Sequence, residues 1–110
     1  MPQLFSYGTL REEKVQREIF GHTLAGAPDA IVGYRLEALT IADARAISIS
    51  GKSGHTVLEP TGRDADQVEG MVFALTDAEL LQADAYEDEA YRRIEVRLRS
   101  GAGAWVYVRA

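Results

Sequence analysis

The sequence predicts an α+β fold: a small mixed β-sheet curled into a barrel, with two flanking helices. Three observations predict it. Short β-compatible runs recur along the chain, separated by glycine, proline and polar clusters. Only two segments, around Glu12 to Phe20 and Asp77 to Tyr86, carry helical spacing or a helix-start signal. Strands and helices do not alternate as a doubly wound parallel sheet requires. The chain has 110 residues, which suits a single domain over 1–110.

Gln3 to Tyr7 is the first strand, expected inside the sheet, and Gly8-Thr9-Leu10 breaks it. Glu12 to Phe20 is the first helix, with Val15 and Ile19 at helical spacing and Phe20 beside them. Gly21 is placed to end that helix in a left-handed conformation. Ala30 to Leu39 is one apolar, β-compatible run, and Ala46 to Ile49 and His55 to Leu58 are shorter strand candidates. Gly51, Ser53 and Gly54 mark a turn between the last two, and Arg63 to Gln67 is a polar loop. Val68 to Leu75 is a buried strand centred on Met71, Val72 and Phe73.

Thr76 and Glu79 form a capping-box pattern that starts the second helix, Asp77 to Tyr86, with Leu80 and Leu81 facing the core. Tyr91 to Arg99 alternates, with Ile94, Val96 and Leu98 on one face and Arg93, Glu95 and Arg97 on the other. Gly101 and Gly103 turn the chain into a last strand, Trp105 to Val108.

Composition removes several function classes. With no cysteine, thiol nucleophiles, disulfides and Cys-based zinc sites are excluded. The net charge of −5 argues against nucleic acid or an anionic membrane surface as partner. Arg92, Arg93, Arg97 and Arg99 are interrupted by Glu95 and read as a solvated strand face. No apolar run reaches transmembrane length and the N-terminus lacks a signal-peptide pattern, so the expected location is cytoplasmic. His22 and His55 have no acidic neighbours at ligand spacing, so no metal site is expected. Ser53-Gly54-His55 lacks the strand–elbow–helix context of a hydrolase nucleophile, and Gly51-Lys52-Ser53 lacks the upstream glycine of a phosphate loop.

Two segments carry chemistry. A glycine directly after a strand, in Tyr7-Gly8-Thr9-Leu10, lets backbone approach a ligand, and the amides that follow can hold a carboxylate or an oxyanion. The same pattern also serves as a plain structural turn. The second segment is the acidic cluster Asp84, Glu87, Asp88 and Glu89, flanked by Tyr86 and Tyr91. A helix C-terminus disfavours carboxylates, and repulsion with partial burial raises a carboxyl toward the range of a general base. A solvated helix end is the alternative.

Together these segments resemble the γ-glutamylcyclotransferase-like family. Leu4-Phe5-Ser6-Tyr7-Gly8-Thr9-Leu10-Arg11 is similar to its opening strand, which ends in Tyr-Gly-Ser/Thr-Leu/Asn. Val68-Glu69-Gly70-Met71-Val72-Phe73 is similar to its Val-x-Gly-x-Val/Leu-aromatic strand. Ala83-Asp84-Ala85-Tyr86-Glu87, followed by Tyr91-Arg92-Arg93, is similar to its Leu-Asp-x-aromatic-Glu-Gly helix end and Tyr-x-Arg strand. Asp88 stands where the family usually has glycine, Ala83 replaces a leucine, and Thr40 to Thr61 departs from the pattern.

The resemblance implies a small mixed β-barrel with flanking helices and cyclisation of a γ-glutamyl group to 5-oxoproline. Glu87 takes the family's catalytic acid/base position. Tyr7, Gly8, Thr9 and Leu10 take the loop that grips the glutamyl end, Tyr91 a tyrosine near the pocket, and Arg93 the arginine after it. The implied partner is a small-molecule γ-glutamyl substrate, with no cofactor and no metal. A non-catalytic module that binds a small metabolite or a protein on the same fold is the alternative.

Overall fold

Leu4, Phe5 and Ser6 are buried one after another, which a strand achieves only when both of its faces are covered. They belong to β1 (Gln3–Ser6) of a computed structural model that describes residues 1–40, 54–87 and 90–109, with only the backbone described at 39, 40, 54 and 55. The strand candidate at 46–49, the turn residues Gly51 and Ser53, and the acids Asp88 and Glu89 lie outside the described residues.

After β1 come a single 3-10 turn (Thr9–Arg11), α1 (Glu13–Phe20), β2 (Gly26–Val32), β3 (Tyr34–Thr40), β4 (Gly54–Pro60), β5 (Gln67–Ala74), α2 (Asp77–Tyr86), β6 (Tyr91–Arg97) and β7 (Gly103–Arg109). Five strands form one mixed sheet in the order β2-β5-β1-β7-β6. β1 runs parallel to β7, with Leu4 opposite Trp105, and every other pairing in that sheet is antiparallel. β3 and β4 form a separate two-stranded antiparallel sheet.

No sheet closes into a barrel, so the expected barrel is corrected to two sheets. The cause is Gly33. The run from Ala30 to Leu39 reads as one strand, but Gly33 sits at φ 83°, a left-handed conformation that glycine adopts without strain. Its amide donates to the Asp66 carbonyl and its carbonyl accepts from Thr61. The chain therefore leaves the five-stranded sheet after Val32 and enters the small one at Tyr34. β2 also begins earlier than expected, at Gly26, and includes Pro28 and Asp29.

Each face of the large sheet has its own core. Leu4, Val15, Phe73, Leu75, Leu80 and Tyr86 pack on the helical side. Phe5, Ile31, Leu58, Val68, Val106 and Val108 pack on the side covered by β4. α2 begins with the expected reciprocal cap: the Glu79 amide donates to Thr76 Oγ1 at 3.0 Å and the Thr76 amide donates to Glu79 Oε1 at 2.9 Å. Leu80, Ala83 and Tyr86 are its inward face, whereas Leu81, expected in the core, is 66% exposed. One position beyond Leu80 is about 100° further round the helix, enough to carry Leu81 out to solvent. α1 ends at Gly21 with φ 79°, as its position requires. Among the described residues, no helix is long and apolar enough to cross a membrane.

Gly70 lets β5 approach β1. A Cβ there would lie 2.4 Å from the Ser6 carbonyl oxygen and 2.7 Å from the Phe5 ring. The backbone contact cannot be relieved by turning a side chain. Gly70→Ala should therefore destabilise the fold by about 1–3 kcal/mol, read as a lower urea midpoint with little change in slope.

Candidate active site

A cavity of about 640 Å³ opens where the chain leaves β1. All six residues singled out from the sequence line it: Glu87, Tyr7, Gly8, Thr9, Leu10 and Tyr91. The N-terminal turn and the end of α2 are thus brought to one space, although Thr9 and Tyr86 stand 77 positions apart in sequence.

The turn is built from below. Leu10 is buried in the helical-side core, and its carbonyl accepts from Gln16 Nε2 at 2.8 Å. The same buried amide accepts from the Leu24 amide at 2.8 Å, so one glutamine fixes both the turn and the exit from α1. Thr9 Oγ1 bonds the Tyr86 hydroxyl at 2.8 Å, linking the turn directly to the last residue of α2. The Gly8 backbone lies at φ −130°, ψ −145°, outside the left-handed region. A Cβ on it would meet no protein atom within 4 Å, and Gly8 lines the cavity. The amides of Arg11 and Glu12 close the turn onto Gly8 and Thr9. Those of Thr9 and Leu10 have no acceptor among the described residues, which leaves two donors beside the cleft.

Glu87 is the C-cap of α2. Its amide still donates to the Ala83 carbonyl at 3.1 Å, but its backbone is already extended at φ −68°, ψ 142°, and it lines the cleft. Its charge acts on two buried phenols. Burial first, then Tyr91 and Glu87, push the Tyr7 hydroxyl far above the ordinary tyrosine range. Burial first, then its bond to Asp84 and the charges of Asp84 and Glu87, do the same to Tyr107. Both hydroxyls are also committed, Tyr7 to the Tyr107 carbonyl at 2.7 Å and Tyr107 to Asp84 Oδ1 at 2.7 Å. They are neutral walls rather than proton acceptors. The Tyr91 hydroxyl donates to the Thr56 carbonyl at 2.8 Å, bridging β6 to β4 across the cleft.

Asp84, one turn before Glu87, has a different fate. Arg93 clamps it with two bonds, Nε to Oδ1 at 2.8 Å and Nη2 to Oδ2 at 2.9 Å. The guanidinium also lies 4.3 Å from the centre of the Trp105 ring. Burial alone would raise the Asp84 carboxyl, but the bonds from Arg93 and Tyr107 outweigh it and hold it below the ordinary carboxylate range. Crowding of acids therefore does not raise this carboxyl, contrary to the expectation for the cluster. Arg93 is a brace for α2 and is not among the residues lining the cavity. Nor is it part of a solvated face, since its side chain is only 21% exposed.

Sequence reasoning missed Tyr107, Thr56 and Met71 as cavity walls. Tyr107 reads simply as a strand residue, and only the parallel pairing of β1 with β7 turns it toward Tyr7. Among the described residues, no group of His, Asp and Glu side chains is placed to hold a metal ion.

The fold is a known one. The chain superposes on a solution structure from Arabidopsis thaliana with TM-score 0.73 at 23% identity, covering 98% of this chain and 61% of that one. It superposes on a γ-glutamyl cyclotransferase with TM-score 0.73 at 15% identity, covering 99% and 66%. A crystal structure of an uncharacterized human protein matches with TM-score 0.72 at 17% identity, covering 98% and 66%. The chain thus spans about three fifths to two thirds of the length of these three. The likeness shows a shared mixed α+β fold. No curated protein matches the sequence significantly. The family model described as "Gamma-glutamyl cyclotransferase, AIG2-like" matches residues 4–110, and the chain belongs to that family.

The Asp84–Arg93 clamp has a defined pH signature. A carboxyl held low in the folded chain contributes stability that is complete above its unfolded pKa, about 3.9, and lost as pH falls through the folded value. Arg93→Gln should cost about 1–3 kcal/mol at pH 7. The gap from the parent, followed by urea unfolding, should narrow below about pH 4, leaving the part due to packing on Trp105.

Proposed function

We propose that residues 1–110 form a single catalytic domain that cyclises a γ-glutamyl amine, amino acid or peptide to 5-oxoproline, with Glu87 as the acid/base. One observation carries this reading: Glu87 and the Tyr7 to Leu10 turn line the same cleft.

The chemistry asks little of the protein. The substrate supplies its own nucleophile, the α-amino group, and its own electrophile, the γ-carbonyl. Folding the substrate so that they meet makes ring closure unimolecular, and positioning alone lowers the barrier substantially. The attacking nitrogen enters as an ammonium and ends as the ring N–H, so it sheds two protons. The departing nitrogen begins as an amide N–H and leaves as an ammonium, so it gains two. A single carboxylate beside both nitrogens carries the protons from one to the other.

Among the cavity walls, Glu87 suits that task. The Tyr7 and Tyr107 hydroxyls resist ionisation and already donate elsewhere. The amides of Thr9 and Leu10 are the donors available to the substrate carboxylate or to the oxyanion that forms as the γ-carbon becomes tetrahedral. Neither a thiol nor a metal is required.

The test is release of 5-oxoproline from a panel of γ-glutamyl compounds by the purified chain. Glu87→Gln should reduce kcat by about 100-fold or more while calorimetry still detects substrate binding. Full activity in that variant, or binding of γ-glutamyl compounds by the parent without product, overturns the assignment. Gly8→Ala should fold with stability within about 1 kcal/mol of the parent, because its Cβ meets no close neighbour and its φ is not left-handed. Its methyl takes space from the cleft, so KM should rise at least severalfold in the same assay.

A further inference from the structure

Four observations bear on the part of the substrate that leaves. First, the cleft is graded. Tyr7, Thr9, Leu10 and Tyr107 are buried, Glu87 is half-buried, and Arg11 is exposed at the outer end of the turn. A γ-glutamyl group bound by the turn, with its γ-carbonyl near Glu87, directs the departing amine outward past Arg11. Second, Arg11 is the only basic residue among the described residues that line the cavity. Third, its fork is anchored. Nε donates to the Gly8 carbonyl at 3.1 Å, fixing the guanidinium against the turn itself. Fourth, its outer nitrogens pair with no carboxylate among the described residues. Arg17, Arg35, Arg63, Arg93, Arg99 and Arg109 each have one, and Arg92 and Arg97, which share this lack, do not line the cavity.

A pre-positioned guanidinium is suited to a planar carboxylate. The rim also carries Glu12, which has an interaction of its own. With Glu12 and Glu87 both lining the cleft, an incoming anion needs a local cation.

We infer that Arg11 is a specificity-determining residue that binds a carboxylate on the leaving amine, so that γ-glutamyl amino acids and peptides are preferred over γ-glutamyl amines that lack one. This rests on the proposed cyclisation, and the experiment separates the two. γ-Glutamyl-alanine and γ-glutamyl-ethylamine differ by that one carboxylate. Their kcat/KM values are measured for the parent, Arg11→Gln and Arg11→Lys, and the readout is the ratio between the two substrates. The parent should favour γ-glutamyl-alanine about tenfold, chiefly through KM. Arg11→Gln, whose amide can still reach the Gly8 carbonyl, should lose most of that ratio, and Arg11→Lys should keep part of it.

A ratio that Arg11→Gln leaves unchanged overturns the inference while the cyclisation stands, whether both rates fall together or neither does. Equal loss on both substrates would instead assign Arg11 to the glutamyl carboxylate or to the shape of the turn. Should the parent cyclise neither substrate, the proposed reaction fails, and calorimetry with the same pair still decides the role of Arg11. Tighter binding of γ-glutamyl-alanine that Arg11→Gln abolishes supports it, and equal binding of the two compounds refutes it.

Discussion

The parallel pairing of β1 with β7, at Leu4 and Trp105, is the constraint on which the cleft depends. β1 is short and lies between β5 and β7, so its end is held from both sides. Just past β1, the Tyr7 side-chain hydroxyl donates to the Tyr107 carbonyl of the same neighbouring strand. The chain then turns at Gly8 over a floor that Leu10 and Gln16 fix from beneath. β7 contributes twice, through the Tyr107 carbonyl to the turn and through its hydroxyl to Asp84 on α2. One strand thus sets the distance between the two halves of the site.

Electrostatics then separates two carboxylates that the sequence writes three residues apart. Asp84 faces β6 and β7 and is neutralised by Arg93 and bonded by Tyr107. That pair is half-sheltered from water, where an unpaired charge is costly and a clamped one is tolerable. Glu87 follows at the point where the helix ends, so its backbone is free to turn the side chain toward the cleft. Asp84 is thereby spoken for by its own ion pair. The helix gives its last inward turn to an ion pair that fixes its position and presents the next acid to the cavity.

Much of the fold was legible because local rules agreed with tertiary demand. The Thr76–Glu79 cap, the left-handed Gly21 and the interior place of β1 all follow from residue type and spacing. The barrel did not, because whether two strands on either side of Gly33 share a sheet depends on partners far away in sequence. Leu81 was misplaced because two adjacent leucines leave the helical phase ambiguous. For the candidate site, motif residues led to the right cavity. Tyr107 did not announce itself, since what brings it there is a parallel pairing between the two ends of the chain. The sequence also suggested crowded, repelling acids, and it could not show that Arg93 would be folded back onto Asp84.

The two motif glycines show why a pattern alone leaves function open. Gly70 is surrounded: any Cβ would collide with the Ser6 carbonyl and the Phe5 ring, so the protein's own packing accounts for it. Gly8 is the opposite case. Its φ is negative, and beyond its chain neighbours no protein atom stands within 4 Å of a Cβ placed there. The space a side chain would fill there is instead open, in the cavity wall. One glycine closes a strand pairing and the other leaves the turn open, in the cleft that Glu87 also lines.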